Sequence, residues 1–318
     1  MVRLAVPENL SKRRKVKHRR IRAISIAPAM LTLGNLLCGF AAIHFAARPE
    51  YALHNPILTK WLPTNLALSC YLIFAAMICD ALDGRLARMA RTTSDFGGQL
   101  DSLADIVSFG VAPAFIAVRL IMKTLASHSQ AIDPFVSPAA ETIFGRFCWI
   151  AAGVYLACAA LRLARFNVEN VPDESAHMHF KGLPVPGAAG TMIAIVLLSD
   201  QVIPEITSPE ASKILAKMVP WISITLGLMM VSRLPYVHVV NKLLRGKKPF
   251  WSLIAVVFSL MIFMLKPKLV LAIVLCGYAL SGPVVWLIRM LRARYLYDSK
   301  NSSVAILNDE NEGKMELL

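Results

Sequence analysis

Four aspartates, Asp80, Asp83, Asp101 and Asp105, are the residues of this chain whose type and spacing point most directly to chemistry. They lie in the segment DALDGRLARMARTTSDFGGQLDSLAD, which is bordered on both sides by strongly apolar sequence. A carboxylate placed inside a bilayer costs about 2.5 to 3.5 kcal/mol, so four acids at a membrane suggest a bound cation. The segment therefore predicts a metal site.

Helical geometry divides the four acids into two pairs. Asp80 and Asp83 are three residues apart, and Asp101 and Asp105 are four apart, so each pair shares one face of a helix. Oxygen ligands of this kind suit Mg²⁺, Mn²⁺ or Ca²⁺ rather than zinc. Two such ions can clamp the attacking and leaving oxygens of a displacement at phosphorus, while a carboxylate accepts the proton of an incoming hydroxyl. The pattern predicts a two-metal active site.

The residues between the acids fit a diphosphate ligand. Gly84 would let a large ligand approach the backbone, and Arg88 and Arg91 would counter phosphate charge. Gly97 and Gly98 would permit a sharp turn between two helices. Together these residues predict that the metal site binds a diphosphate.

The elements that must position this segment are membrane helices. The chain has 318 residues, of which 56% are hydrophobic and only 17% charged, a composition typical of a polytopic membrane protein. We therefore expect an all-α bundle of about eight transmembrane helices, with six to eight as the range. The apolar runs that predict them are 25–47, 64–82, 104–122, 147–163, 184–199, 219–232, 250–265 and 269–289.

Positive charge predicts the orientation of the bundle. If the N-terminus is cytoplasmic, Lys and Arg concentrate in the cytoplasmic segments, which places all four aspartates at the cytoplasmic face. An inside-facing site and free thiols fit a bacterial inner membrane. The net charge of +14 could indicate nucleic acid, but much of the excess lies in Ser11–Arg22, directly before the first apolar run. That position favours binding to anionic lipid headgroups and no nucleic acid partner.

The sequence predicts four regions. A basic cytoplasmic arm spans 1–24, a catalytic membrane region spans 25–200, additional transmembrane helices span 201–297, and a disordered tail spans 298–318. Six cysteines all fall within apolar runs without metal-ligand spacing, so we interpret them as small core residues.

The aspartate segment resembles the signature D-x2-D-G-x2-A-R-x8-G-x3-D-x3-D of the CDP-alcohol phosphotransferase family. All eight fixed positions match, namely Asp80, Asp83, Gly84, Ala87, Arg88, Gly97, Asp101 and Asp105. The resemblance implies a cytidine-diphosphate lipid donor, a hydroxyl acceptor and CMP as the leaving group. It also makes a homodimer an expectation.

Roles for individual residues follow from the resemblance by position. It implies that Asp80, Asp83, Asp101 and Asp105 bind two divalent cations, Mg²⁺ or Mn²⁺, and that Asp105 is also the general base. Gly84, Arg88 and Ser94 fall where the family contacts the CDP-lipid. Asn35 in the first apolar run is a further candidate for the donor phosphates, because an amide within a membrane needs a partner and the family carries Asn at this position.

Regions outside the signature bear on the acceptor. The stretches TLGNLLCGFAAI, LDSLADIVSFGVAPA, LRLARFN and FKGLPVPGAAG are similar to the bacterial and archaeal branch of the family that transfers from CDP-diacylglycerol to L-serine. A serine acceptor brings a carboxylate that needs a cationic partner, and Arg162, Arg165 or Lys181 could supply it.

Two alternatives remain open from the sequence. The first keeps the chemistry but changes the acceptor to glycerol 3-phosphate, inositol phosphate or another alcohol, and phosphorylated acceptors would require a denser basic pocket. The second is a cation transporter, which would place acids near mid-membrane on discontinuous helices in two related halves. Here the acids cluster in one interfacial segment, which favours the enzyme.

Overall fold

The computed structural model describes residues 8–48, 64–90, 95–126, 142–169, 182–236 and 266–315, and these residues are almost entirely helical. In chain order the α-helices are α1 (Glu8–Ala47), α2 (Asn65–Ala90), α3 (Asp95–Asp105), α4 (Ala112–Ala126), α5 (Ile143–Glu169), α6 (Val185–Leu197), α7 (Ile203–Ile206), α8 (Pro209–Val231) and α9 (Pro267–Met315). Two π-helical segments, Ile106–Val111 and Leu198–Val202, join α3 to α4 and α6 to α7.

Seven helical segments in the described part of the chain are long and apolar enough to cross a membrane. They are Pro28–Ala47, Asn65–Leu86, Phe96–Leu125, Ile143–Val168, Val185–Val202, Glu210–Val231 and Pro267–Arg292. The predicted all-α polytopic bundle is thereby confirmed. The eighth predicted span, 250–265, lies outside the described residues.

The crossing that carries Asp101 and Asp105 is longer than the sequence predicted. The apolar run began at residue 104, whereas α3, the first π-helical segment and α4 join end to end into one span from Phe96 to Leu125. Gly97 and Gly98 therefore lie inside α3, and the expected sharp turn at these glycines is wrong. Both glycines continue the helix because its hydrogen bonds tolerate glycine at a modest propensity cost.

The centre of the bundle is formed by the Phe96–Leu125 crossing and by Val185–Val202, which are the most buried spans described. Both are apolar on nearly all sides, as expected for helices surrounded by other helices. Phe109, Ile116, Met192 and Ile193 are fully buried there. Burial increases along this crossing from α3, where Phe96 and Leu103 are exposed, to Ala104 and Asp105, which are buried.

A polar cluster marks the end of the bundle opposite the aspartates. Lys123 on α4 forms an ion pair of 2.8 Å with the buried Asp200, which also accepts a hydrogen bond of 2.9 Å from Thr64 at the start of α2. Lys268 on α9 donates to the neighbouring Gln201. Because α9 starts at this cluster and packs against Tyr236 further along, it runs toward the aspartate end.

The predicted tail differs from the structure. Helix α9 continues to Met315, so residues 298–315, which were expected to be disordered, are helical. The sequence from Val284 to Glu312 contains neither proline nor glycine, so nothing in it breaks the helix. Similarly, α1 begins at Glu8, and most of the basic arm is continuous with the first transmembrane crossing.

Candidate active site

Three of the four aspartates converge between α2 and α3. Asp80 on α2 and Asp101 and Asp105 on α3 each offer a carboxylate oxygen, and these oxygens lie within 4.8 Å of one another. Asp101 and Asp105 reach the same point because a spacing of four residues places both on one face of α3. Asp105 is the most enclosed of the three, with 8% of its surface exposed.

Asp83 has different surroundings. It lies about one turn beyond Asp80 on α2, is buried, and accepts a hydrogen bond of 2.9 Å at Oδ2 from the hydroxyl of Thr32 on α1. Its carboxylate is not part of the group of three converging oxygens. Its role as a metal ligand stays a prediction, and Thr32 is a partner that the sequence did not single out.

The donor set fits a divalent cation. Asp101 Oδ1 is buried and has no hydrogen-bond partner among the described residues. A buried anionic oxygen without a partner is strongly unfavourable, and a cation beside it would remove that penalty. Three carboxylates without sulfur or imidazole match the hard oxygen ligands that Mg²⁺ and Mn²⁺ prefer.

Asn35 contacts Asp105 in the interior of the bundle and does not line the cavity that opens beside the aspartates. Its side-chain Nδ2 donates a hydrogen bond of 3.0 Å to Asp105 Oδ1, and the residue is fully buried. The sequence assigned Asn35 to the donor phosphates, whereas the structure places its amide against the carboxylate. The partner that an intramembrane amide needs is therefore Asp105.

A cavity of about 370 Å³ opens beside the converging aspartates. Asp80, Asp101 and Asp105 line one side, and Arg162, Tyr236 and Tyr278 are among the residues that complete it. This volume lies within the range of small-molecule sites. The cavity thus has three carboxylates and a guanidinium around one ligand-sized space.

Gly182 shapes the wall of the cavity next to Arg162. Its φ of +91° lies in the left-handed region, and a Cβ there would be 2.6 Å from the carbonyl oxygens of Met230 and Ser232. Arg162 Nη1 donates a hydrogen bond of 3.2 Å to the same Met230 oxygen. Only glycine fits this conformation and this close approach. Gly182 therefore allows the loop before α6 to lie against the Arg162 guanidinium.

The other predicted site residues differ in where they lie relative to the cavity. Gly84 lines the cavity, and its contact with the donor stays a prediction. Arg165 lies on α5 but is exposed and is not among the residues lining the cavity. Arg88 belongs to α2, while its side chain lies outside what the structure describes, as do Ser94 and Lys181 altogether.

Two tyrosines in the cavity wall were missed by the sequence analysis. The Tyr236 hydroxyl donates a hydrogen bond of 2.8 Å to Ala279 O, and the Tyr236 and Tyr278 rings lie 5.8 Å apart. Burial, reinforced by Tyr278 and opposed by Arg162, raises the pKa of Tyr236 to about 12, so its phenol stays protonated. The sequence signal that could have identified them is a tyrosine next to apolar residues. Such tyrosines are common at membrane interfaces, so the signal is not specific to a binding site.

Comparisons with known proteins agree on one family. The family model described as CDP-alcohol phosphatidyltransferase matches residues 25–229, which extends beyond the predicted catalytic boundary at residue 200 and includes most of α8. A CDP-diacylglycerol–serine O-phosphatidyltransferase of Helicobacter pylori is 27% identical over 286 residues, covering 89% of this chain and 99% of that protein. Proteins with the same name from Bacillus subtilis and Methanocaldococcus jannaschii are 34% and 35% identical over 172 residues, which is 54% of this chain and 74% and 65% of theirs. The chain belongs to the CDP-alcohol phosphatidyltransferase family.

Proposed function

We propose that this protein is a CDP-diacylglycerol–serine O-phosphatidyltransferase of phospholipid biosynthesis. It transfers the phosphatidyl group of CDP-diacylglycerol to the hydroxyl of L-serine and releases CMP. The observation that carries the proposal is the cavity with three converging carboxylates on one side and the Arg162 guanidinium in its wall. The relatives that bear this name, one of them similar along nearly its full length, support the same activity.

In this proposal Asp80, Asp83, Asp101 and Asp105 hold two divalent cations, Mg²⁺ or Mn²⁺. When bound, these ions supply charge neutralisation of the donor diphosphate and of the departing CMP. The unpartnered oxygen of Asp101 supports this role. The hydrogen bond from Thr32 would orient Asp83, the ligand that lies apart from the other three.

Asp105 acts as the general base. It accepts the proton of the serine hydroxyl, whose oxygen then attacks the phosphorus bonded to the diacylglycerol oxygen. The bond from that phosphorus to the oxygen shared with CMP breaks, and CMP leaves. Asp105 suits this role because it lines the cavity while most of its surface is protected from solvent.

Arg162 is the residue we assign to the serine carboxylate. Of the two predicted candidates that the structure describes, Arg162 lines the cavity, whereas Arg165 is exposed on the same helix. The hydrogen bond from Arg162 Nη1 to Met230 O holds the guanidinium in the cavity wall, and guanidinium groups commonly bind carboxylates.

An apolar groove beside the cavity supports a lipid donor. It has a volume of about 790 Å³ and runs along α2 from Tyr71 to Arg85, with Leu271 of α9 in its other wall. Along the helix axis this is about 21 Å, comparable with the depth of about 15 Å of one leaflet. Ala81 lines both the groove and the cavity, so acyl chains in the groove would continue directly into a diphosphate at the aspartates.

The charge of the cavity favours serine over phosphorylated acceptors. Among the described residues that line it, Arg162 is the one cationic side chain. Glycerol 3-phosphate or inositol phosphate would bring a second phosphate of up to two negative charges into a space that already holds carboxylates and the donor diphosphate. One guanidinium matches one carboxylate better.

The protein is an integral membrane protein. We place it in a bacterial cytoplasmic membrane, with the start of α1 and the active site facing the cytoplasm, because Lys and Arg concentrate on that side. A homodimer stays a prediction from the family resemblance.

A cation transporter does not fit these findings. The chain belongs to a family of enzymes, and the converging acids belong to one end of the bundle, with Lys123 and Asp200 at the other. Acids on discontinuous helices at mid-membrane, as in transporters, would have a different arrangement.

The full-length protein in lipid nanodiscs tests the proposal directly. Supplied with CDP-diacylglycerol, Mg²⁺ and one acceptor at a time, it should form phosphatidylserine and one CMP per lipid only with L-serine. Mass spectrometry identifies the lipid. Formation of a different phospholipid, or CMP release that does not depend on serine, would contradict the assignment.

A further inference from the structure

Asn35 is an amide held in the apolar interior of the bundle by one side-chain contact. Its Nδ2 donates to Asp105 Oδ1 at 3.0 Å, while its own Oδ1 is buried and has no partner among the described residues. A buried carbonyl oxygen left without a hydrogen-bond partner destabilises the folded protein. For stability alone, an apolar side chain of similar size would serve this position better, so the amide needs another reason.

The backbone around Asn35 is fixed against the segment that follows Asp105. Ser108 Oγ donates a hydrogen bond of 2.9 Å to Asn35 O. One turn further along α1, a Cβ on Gly39 would overlap the Ser108 hydroxyl and lie 2.7 Å from its Cα. The close approach at Gly39 therefore sets the distance between α1 and this segment, and with it the reach of the Asn35 amide.

That segment is π-helical and begins directly after Asp105. In Ile106–Val111 the wider turn inserts an extra residue into the helix and changes the direction of the side chains on either side of it. Tyr155 on α5 donates a hydrogen bond of 3.0 Å from its hydroxyl to Phe109 O within this turn, and Tyr155 is fully buried. Asp105 thus lies at a junction that α1 and α5 hold from two sides.

We infer that Asn35 is a positioning residue for Asp105: its amide holds Oδ1 so that the carboxylate presents its other oxygen to the cavity. The inference rests on the proposed role of Asp105 as proton acceptor. A rigidly held carboxylate stays within reach of the serine hydroxyl, and a misplacement of about 1 Å reduces the rate of such a step by about 100-fold. Asn35 acts through Asp105 and does not contact the substrates.

The test replaces Asn35 and separates rate, binding and stability. In Asn35→Leu we expect kcat for phosphatidylserine formation to fall about 100-fold. The KM values for CDP-diacylglycerol and serine should stay within about twofold. The change in melting temperature should be small, because removing the unpaired carbonyl of Asn35 offsets part of the cost of leaving Asp105 Oδ1 without its donor. Asn35→Ser, which is too short to reach Asp105 and smaller than leucine, provides a second variant with the same expected kcat effect.

Two further variants complete the experiment. Tyr155→Phe removes the hydroxyl that donates to Phe109 O and should lower kcat about fivefold with KM unchanged, since the loss of about 1 kcal/mol for one neutral hydrogen bond corresponds to a factor of about five. Ser223→Ala is the control, because the buried Ser223 hydroxyl donates a hydrogen bond to Val219 O on its own helix, α8, which carries none of the four aspartates. Its kcat should stay within about twofold of the wild type.

The possible results distinguish the inference from its alternatives. Unchanged kcat in both Asn35 variants would overturn it, and so would a melting temperature that falls in parallel with activity, which indicates a structural role. A higher KM for CDP-diacylglycerol at unchanged kcat would overturn it in favour of a donor contact. If the wild-type protein itself forms no phosphatidylserine in this assay, the proposed function fails rather than the positioning role.

Discussion

At the scale of single residues, Asp105 is the one of the four aspartates that both lines the cavity and accepts a hydrogen bond from Asn35. It lines the cavity beside Asp80 and Asp101, and it receives the Asn35 amide from behind. A carboxylate with one oxygen held and the other directed to substrate is suited to proton transfer. These contacts support the proposed role of Asp105 as general base, in addition to its predicted role as a metal ligand.

Replacing Asp105 with Asn should abolish most turnover while leaving the donor bound. The amide keeps the shape but cannot accept the proton, so we expect kcat to fall about 10²- to 10⁴-fold. Binding of CDP-diacylglycerol, measured by calorimetry in nanodiscs, should change much less than kcat. Asp95→Asn makes the same chemical change on the same helix outside the signature and should leave kcat nearly unchanged. Appreciable activity of the Asp105 variant would refute the assignment.

Arg162 and Arg165 provide a matched pair on α5. Arg162 lines the cavity and Arg165 is exposed outside it. A hydrogen bond to a charged group is worth about 1.5–3 kcal/mol, so Arg162→Ala should raise the KM for serine about 10- to 150-fold. Arg165→Ala should leave it within about twofold, and the KM for CDP-diacylglycerol should hardly change in either variant. Equal effects of the two substitutions on serine would argue against a carboxylate partner in the cavity.

Some of the candidate site could be predicted from spacing and some could not. The convergence of Asp101 and Asp105 follows from helical periodicity, because residues four apart share a face. Asp80 joins them through the packing of α2 beside α3, and Asp83, its predicted partner on the same face, lies outside the group. Asn35 was correctly singled out as an amide in need of a partner, but that partner is 70 residues away and depends on how α1 packs. Tyr236 and Tyr278 come together only through tertiary packing, for which no local pattern exists.

At the scale of elements, the contact between α1 and the π-helical segment should be sensitive to a single methyl group. Gly39→Ala would place a Cβ 2.7 Å from the Ser108 Cα, and backbone cannot yield as a flexible side chain would. We expect the free energy of unfolding to fall by about 1–3 kcal/mol and activity to fall with it. Thermal unfolding in detergent measures the first effect.

Gly153 supplies the control for that substitution. It also lies inside a membrane helix, α5, but a Cβ there would meet nothing within 4 Å. Gly153→Ala should be neutral or stabilise the protein by up to about 1 kcal/mol, because alanine is the better helix former. If both variants were equally stable, the close approach at Gly39 would not limit the packing of α1.

The junction between α3 and α4 shows where element prediction reaches its limit. Hydropathy located the crossing but started it at residue 104, because Asp101 and the polar residues before it lower the local average. In the structure these residues belong to the same helix as the apolar run, and Asp101 lines a cavity. A π-helical turn has no residue pattern of its own, so Ile106–Val111 could not be predicted.

At the scale of the whole molecule, the cavity and the apolar groove meet at Ala81. Ala81→Phe would fill this junction, so the KM for CDP-diacylglycerol should rise several-fold, and more for long acyl chains than for hexanoyl chains. The KM for serine should stay unchanged. Ile150→Phe, on the exposed lipid-facing side of α5, adds a ring elsewhere and should have no effect. A donor KM that rises equally for short and long chains would place the acyl chains outside the groove.

The first and last described helices run in opposite directions through the bundle. Helix α1 contacts Asp105 before it reaches Arg119, and α9 leaves the Gln201 cluster and passes Tyr236 before it ends. The start of α1 and the end of α9 therefore both lie on the side of the bundle where the cavity opens, so a label attached at either of these helix ends would be on the same side as the cavity.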